Sequence, residues 1–231
     1  YAVTYALNGG TGASAPTQIS LSSSDTFTVQ STASTKSGYS FGGWSNGTNT
    51  FQADATYNMT TANVTLTAIW NVAAPGTPGT PTVSAGDGNA TITVVAPTSG
   101  GAPTSYIVTA SPGGATCTVV SPATSCTITG LTNGTSYSFS TVANNATGSS
   151  STSPSSSAVS PAGKPGVPTG VTATIGNGSA TVSLTPPSNT GGPAITSYTI
   201  TASPGGATCI ANAPATSCLV SPLDNGTAYT F

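Results

Sequence analysis

The sequence predicts an all-β protein built of three small modules in series, and three observations carry that reading. Val, Ile, Thr, Tyr and Phe recur in short alternating runs bounded by Gly, Pro and Asn, a pattern that fits half-buried strands separated by turns. The 231 residues include 28 Gly and 18 Pro. The second half of the chain repeats itself, and charge is almost absent: Lys36, Lys164, Asp25, Asp54, Asp87 and Asp224 are all of it.

That inventory removes whole classes of function. There is no His, Arg or Glu. A Ser-His-Asp or Cys-His nucleophile needs an imidazole, and a mixed zinc site needs one too. Two lysines are too few to neutralise a phosphate backbone, so nucleic acid is not an expected partner. Acid–base catalysis would rest on four scattered aspartates. The sequence reads as non-catalytic, with no cofactor and no metal. No apolar stretch reaches the roughly 18 residues of a membrane helix, so no membrane insertion is expected in this segment. The chain opens at Tyr1 without a basic, apolar leader, which reads as a processed chain or a segment of a longer one.

Taken in order, the first element is the alternation Tyr1, Val3, Tyr5, Leu7, a strand that ends at the turn Asn8-Gly9-Gly10. Lys36-Ser37-Gly38-Tyr39-Ser40-Phe41-Gly42-Gly43-Trp44 then sets three aromatics among glycines. Val64, Leu66, Ala68 and Trp70 alternate with Thr65, Thr67 and Ile69 to make a second clear strand. Residues 1–71 form one module. Residues 72–81 carry Pro75, Pro78 and Pro81 and read as a stiff, extended linker.

Ser111 through Cys117 recurs letter for letter as Ser203 through Cys209, and Tyr106, Cys126, Tyr137 and Phe139 reappear at the same offset as Tyr198, Cys218, Tyr229 and Phe231. A period of this size marks tandem domains rather than a solenoid. They span residues 82–162 and 163–231. In the first, Ala90, Ile92 and Val94 share one face and Thr91 and Thr93 the other; Tyr106, Val108 and Ala110 alternate likewise. Regularly spaced short strands of this kind read as a sandwich or barrel.

Four cysteines allow three pairings. A Pro-containing turn lies midway between Cys117 and Cys126, and another midway between Cys209 and Cys218. A hairpin turning there sets each pair within disulfide reach. The duplicated spacing favours these two bonds over the other pairings and over a four-thiolate metal site. Disulfides in turn place the protein in an oxidising, extracytoplasmic setting.

Two resemblances follow from these residues. The order Ala90-Thr91-Ile92-Thr93-Val94, Gly100-Gly101-Ala102-Pro103-Thr104-Ser105-Tyr106, paired Cys, Leu131-Thr132-Asn133-Gly134-Thr135-Ser136-Tyr137 resembles a bacterial fibronectin type III domain. The resemblance implies a seven-strand sandwich with a tyrosine corner at Tyr137 and Tyr229. The family's core Trp is replaced by Val94 and Leu184. The second copy stops at Phe231 within its sixth strand, so residues beyond 231 or a neighbouring chain are expected to complete it. Residues 1–71 resemble the Listeria–Bacteroides repeat of internalin-type surface proteins at Val3, Tyr5, Asn8-Gly9-Gly10, Lys36, Gly38-Tyr39, Phe41, Gly43-Trp44, Tyr57, Met59 and Asn63 through Trp70. That implies a small β-grasp-like module.

The expected function is structural: part of a bacterial extracellular or cell-surface protein, as an adhesin stalk or a filament subunit. Its expected partners are copies of itself or cell-surface components, since a low net charge permits self-association. Two alternatives stand beside it. The modules could serve a secreted polysaccharide-degrading enzyme, or Tyr39, Phe41 and Trp44 could form a stacking platform for glycans. Aromatics in so small a module more often make its core.

Overall fold

Strand alternation fixes which side chains turn inward, and in the computed structural model those side chains gather into three separate cores. The structure describes residues 1–13, 17–18, 22–31 and 34–231. Every regular element among them is a strand.

In the first module β1 (Val3–Ala6) lies parallel to β6 (Val64–Val72), and β3 (Tyr39–Ser45) runs antiparallel on the other side of β6. β4 (Thr50–Phe51) extends that sheet, while β2 (Thr26–Thr28) and β5 (Thr56–Asn58) pair as a separate ribbon. Val3, Tyr5, Leu66, Ala68 and Trp44 from the sheet meet Phe27, Val29, Tyr57 and Met59 in the core. The first and last strands therefore lie side by side, β1 at the sheet's edge and β6 inside it, so the module closes on itself.

The second module is a two-sheet sandwich. β7 (Gly79–Ala85), β8 (Asn89–Val95) and β11 (Ser125–Thr129) make one sheet; β9 (Ser105–Ser111), β10 (Thr116–Val120), β12 (Ser138–Asn145) and β13 (Gly148–Ser149) make the other. Ile92, Val108, Val119, Ile128, Phe139 and Ala143 fill the space between them. The third module repeats the plan with β14 (Thr169–Gly176), β15 (Ser179–Thr185) and β18 (Ser217–Val220) against β16 (Ser197–Thr201) and β17 (Thr208–Asn212).

The disulfides join Cys117 to Cys126 and Cys209 to Cys218, with Cα separations of 6.1 and 6.0 Å. They are not cross-strand pairs of a hairpin. Cys117 sits opposite Val108 in one sheet and Cys126 opposite Ile92 in the other, so each bond ties the two sheets together. The reason lies in the pattern. Cys117 precedes buried Val119 by two residues and Cys126 precedes buried Ile128 by two, so both sulfurs face the core where the sheets part. Closing a loop of about ten residues contributes about 2–3 kcal/mol by chain entropy.

Tyr137 and Tyr229 form the expected corners: the Thr132 N–H donates to the Tyr137 hydroxyl at 3.1 Å, and the Asp224 N–H to that of Tyr229 at 3.0 Å. The last strand of the second module is less regular than expected. After two residues in β13 the chain leaves the ladder, and three serines at three-residue spacing take over. Ser150, Ser153 and Ser156 accept from the backbone N–H groups of Ala143, Thr141 and Phe139 at 2.9, 2.9 and 3.0 Å. Their own N–H groups donate back to the same three residues' carbonyls. An extended segment of period three is thereby stitched to a strand of period two. Serine's short hydroxyl makes up the mismatch, which no alternation of apolar residues could reveal.

Among the described residues two buried side-chain atoms lack a partner, the Gln18 amide oxygen and the hydroxyl of Thr141, which is fully buried in β12. Thr141→Val is expected to raise the stability of the second module by roughly 1 kcal/mol, because it removes a desolvated, unpaired polar atom at constant shape. Ser153→Ala, which strips a partner from the Thr141 N–H, is expected to lower it by about 1–2 kcal/mol. Urea unfolding of both variants beside the parent chain measures the two signs.

Candidate functional site

The aromatic cluster of the first module divides on β3. Trp44 is fully buried; its indole N–H donates to the Gln30 carbonyl at 2.9 Å, and its ring packs edge-on to Tyr5 and Phe41. Phe41 is half-buried between Trp44 and Trp70. Only Tyr39 is exposed, at 41%. These three residues offer no shared flat face for a sugar: Trp44 belongs to the core, as do most aromatics in a module of this size. Burial also raises the Tyr5 hydroxyl pKa above its usual 10.0, an effect partly offset by the hydrogen bond from the Gln30 N–H.

Tyr39 faces the junction with the second module. The Lys36 ammonium lies 4.8 Å from its ring centroid. Beside them a cleft of about 470 Å³ runs between Ser37–Tyr39 and Val72 on one side and the loop from Pro97 to Pro103 on the other.

Beneath that cleft the chain from Val72 to Gly76 does not stand free as a linker. Gly76 N–H donates to Ser99 O and Gly101 N–H to Ala74 O, at 2.9 and 3.1 Å, a two-way clasp around Pro75 and Gly100. The Asn145 amide donates to Ala73 O and the Thr147 hydroxyl to Val72 O, at 2.8 and 3.0 Å. On the other side, Ala73 N–H donates to Gly38 O at 3.1 Å. Pro78 is fully buried and β7 begins at Gly79, so the latter part of the proline-rich segment belongs to the sandwich.

The second junction uses the same parts. Gly163 N–H donates to Gly191 O at 2.7 Å and Gly166 N–H to Asn189 O at 2.8 Å. Gly134 N–H donates to Pro161 O and Ala162 N–H to Gly86 O, so the connector is held by both modules. A Cβ on Gly101 would overlap Ala73 O, and one on Gly191 would overlap Gly163 O. Here the glycine pairs are required by close approach of one backbone to another. Gly192 also packs on Gly134 of the preceding module. Sequence reading located the proline-rich segments but not the Gly-Gly loops that grip them; the recurrence of Gly100-Gly101 as Gly191-Gly192 was the available signal.

The ionisable residues do not converge. Asp87 accepts from the Asn133 amide at 2.7 Å and abuts Gly163, while the pKa of the partly exposed Asp25 is lowered by the Ser22 N–H and hydroxyl. Among the described residues no group of three His, Cys, Asp or Glu is placed to hold a metal.

Comparison with known families matches these modules one by one. The Listeria-Bacteroides repeat domain matches residues 1–69, and the fibronectin type III domain matches residues 76–159 and 166–231. A search of curated proteins returns no match. Among solved structures, the FN1–FN3 domains of chicken CNTN1 are 19% identical with a TM-score of 0.37, covering 63% of this chain and 55% of that one. The twitchin kinase region from C. elegans is 26% identical with a TM-score of 0.32, covering 37% of this chain and 16% of that one. The chain thus spans about half or less of the length of these structures.

The cluster's division predicts two different variants. Trp44→Ala is expected to cost about 3–5 kcal/mol and to unfold the first module alone, as for other large-to-small core changes. Tyr39→Ala, at an exposed position, is expected to change stability by less than about 0.5 kcal/mol. Calorimetry, which separates the module transitions, reads both. With the Tyr5 pKa raised, stability of that module is full below about pH 10 and falls as pH rises through the folded value.

Proposed function

This chain belongs to the fibronectin type III family, with a Listeria–Bacteroides repeat domain ahead of its two sandwiches, and from that premise we propose that it is a structural segment of a bacterial extracellular or cell-surface protein. In this reading it acts as a stalk that holds its modules at fixed orientations. The domains it contains are of types that typically serve as non-catalytic modules.

The observation that carries the reading is the recurrence of one joint. Both junctions are built from a Gly-Gly loop, a proline-bearing connector and a pair of backbone hydrogen bonds between them. A flexible linker of Gly and Ser would leave module orientations free. Here each connector is tied both to the module after it and to the module before it. Conformational freedom is therefore removed at the positions where a tether would retain it. Disulfides across both sandwiches and the near-absence of lysines for proteases to recognise suit an extracellular life.

Residual dipolar couplings test this directly. The two sandwiches of the parent chain are expected to share one alignment tensor. Gly192→Val, which forces a side chain against Gly134, is expected to give two distinct tensors with each module still folded. Independent tensors in the parent chain would overturn the reading.

A further inference from the structure

A sheet that does not close has edges, where unpaired main-chain groups can accept another strand unless something blunts them. The two sheets of the second module end at β7 and β11 and at β10 and β13. β7 is blunted by Pro78, Pro81 and a register shift between Gly79 and Thr82. β13 gives way after two residues to the serine-stitched segment. β10 and β11 carry no such protection: each keeps an unbroken register with its inner neighbour and contains no proline. Charge does not guard them either, since residues 88–163 include no Asp, Glu, Lys or Arg.

Hydrogen bonds at the two ends of β10 tell which of its groups face outward. Ala110 N–H donates to Ala115 O and Ser121 N–H to Thr104 O, at 2.8 and 3.0 Å. Bonded pairs alternate with unbonded ones along an antiparallel ladder. Cys117 and Val119 therefore turn their main chain to β9, and Thr116, Thr118 and Val120 turn theirs to the open edge. Among the described residues only one of those outward groups has a partner, the Val120 carbonyl, which accepts from Ala123 N–H. Apolar side chains border this edge, with Val120 61% and Ile107 43% exposed. β11 instead presents Ser125, Thr127 and Thr129, and Thr127 is already engaged with Thr91. The third module repeats the open edge on β17. Ala202 N–H donates to Ala207 O and Ala213 N–H to Thr196 O, which turns Thr208, Ile210 and Asn212 outward. Ile210 stands where Thr118 does and is 61% exposed.

We propose that the β10 and β17 edges bind the same edges on a second copy of this chain, strand antiparallel to strand, so that sheets of the two molecules become continuous. The edge itself names the occupant. Full antiparallel overlap of two β10 strands sets Thr118 opposite its equivalent, each N–H facing the other's carbonyl, so the edge is complementary to itself. A charged partner finds no counter-charge here, whereas two uncharged copies meet without repulsion. Main-chain hydrogen bonds supply the attraction, and two edges on one chain let a pair of contacts act together. The inference goes beyond the stalk reading and stands whether or not the joints are rigid.

The test is a charge exchange in the intact chain. One variant carries Thr118→Lys with Ile210→Lys and the other Thr118→Asp with Ile210→Asp, both at exposed positions. Sedimentation equilibrium is expected to show the parent chain self-associating with a Kd below about 1 mM. Each variant alone is expected to associate at least tenfold more weakly, because like charges then stand opposite one another across the paired strands. An equimolar mixture of the two is expected to associate at least as well as the parent, a restoration that neither misfolding nor a contact elsewhere on the surface would give. A parent chain that stays monomeric at millimolar concentration, variants that associate as the parent does, or a mixture no better than its components would each overturn the proposal.

Discussion

The architecture depends on short polar side chains acting as main-chain surrogates. With so few charged groups, and modules too small to bury much apolar surface, backbone groups at strand ends and in loops must find partners close by. Serine, asparagine and tyrosine provide them. Three serines complete the sandwich where its final strand departs from ladder geometry. Asn133 accepts from Gly88 N–H while its amide donates to Asp87, which clamps one turn to another. Asn225 repeats the clamp with Gly178 and Asn177. Each bond is worth only about 1 kcal/mol net, but leaving a buried backbone group unpaired costs more than the bond gains.

Comparing the two sandwiches isolates what this plan requires. Asp87 becomes Asn177 with the hydrogen bond to the partner asparagine kept at 2.7 Å in both, so the clamp needs an acceptor and not a charge. The inter-sheet disulfide, the tyrosine corner and the Gly-Gly loop persist. By contrast, outward positions drift: Thr127 of β11 corresponds to Leu219 of β18, which is 57% exposed. Solvent-facing strand positions tolerate such changes because they touch nothing that decides register.

Much of this was legible in the chain itself. Period-two alternation identified the inward residues Ile92, Val94, Val108 and Ala110, and the resemblance pointed to the tyrosine corners. The cysteine pairing was also readable, but not its setting, because a midpoint turn looks the same whether the chain folds back within a sheet or crosses to the other one. Tyr39, Phe41 and Trp44 are adjacent in sequence yet lie in three environments. Alternation around the Gly42-Gly43 register shift sends Trp44 inward and leaves Tyr39 at the junction. Residues 150–159 and 72–78 resisted reading for a common reason. Their order comes from tertiary hydrogen bonds to distant strands and loops, not from any local period.

A joint made this way has a physical consequence that a charged interface would not share. Surface ion pairs weaken with salt and titrate with pH, and flexible linkers surrender entropy when loaded. Here the contacts are N–H to C=O bonds between backbones brought together by glycine, joined at the first connector by the neutral Asn145 amide and Thr147 hydroxyl, with Asp87 the one carboxylate against the second connector. Nothing in that set depends strongly on ionic strength or on pH between the ranges of aspartate and tyrosine. Geometry is thus held by the parts of the chain least responsive to the medium, which is why replacing a glycine, and not altering a charge, is the change that should release the joint.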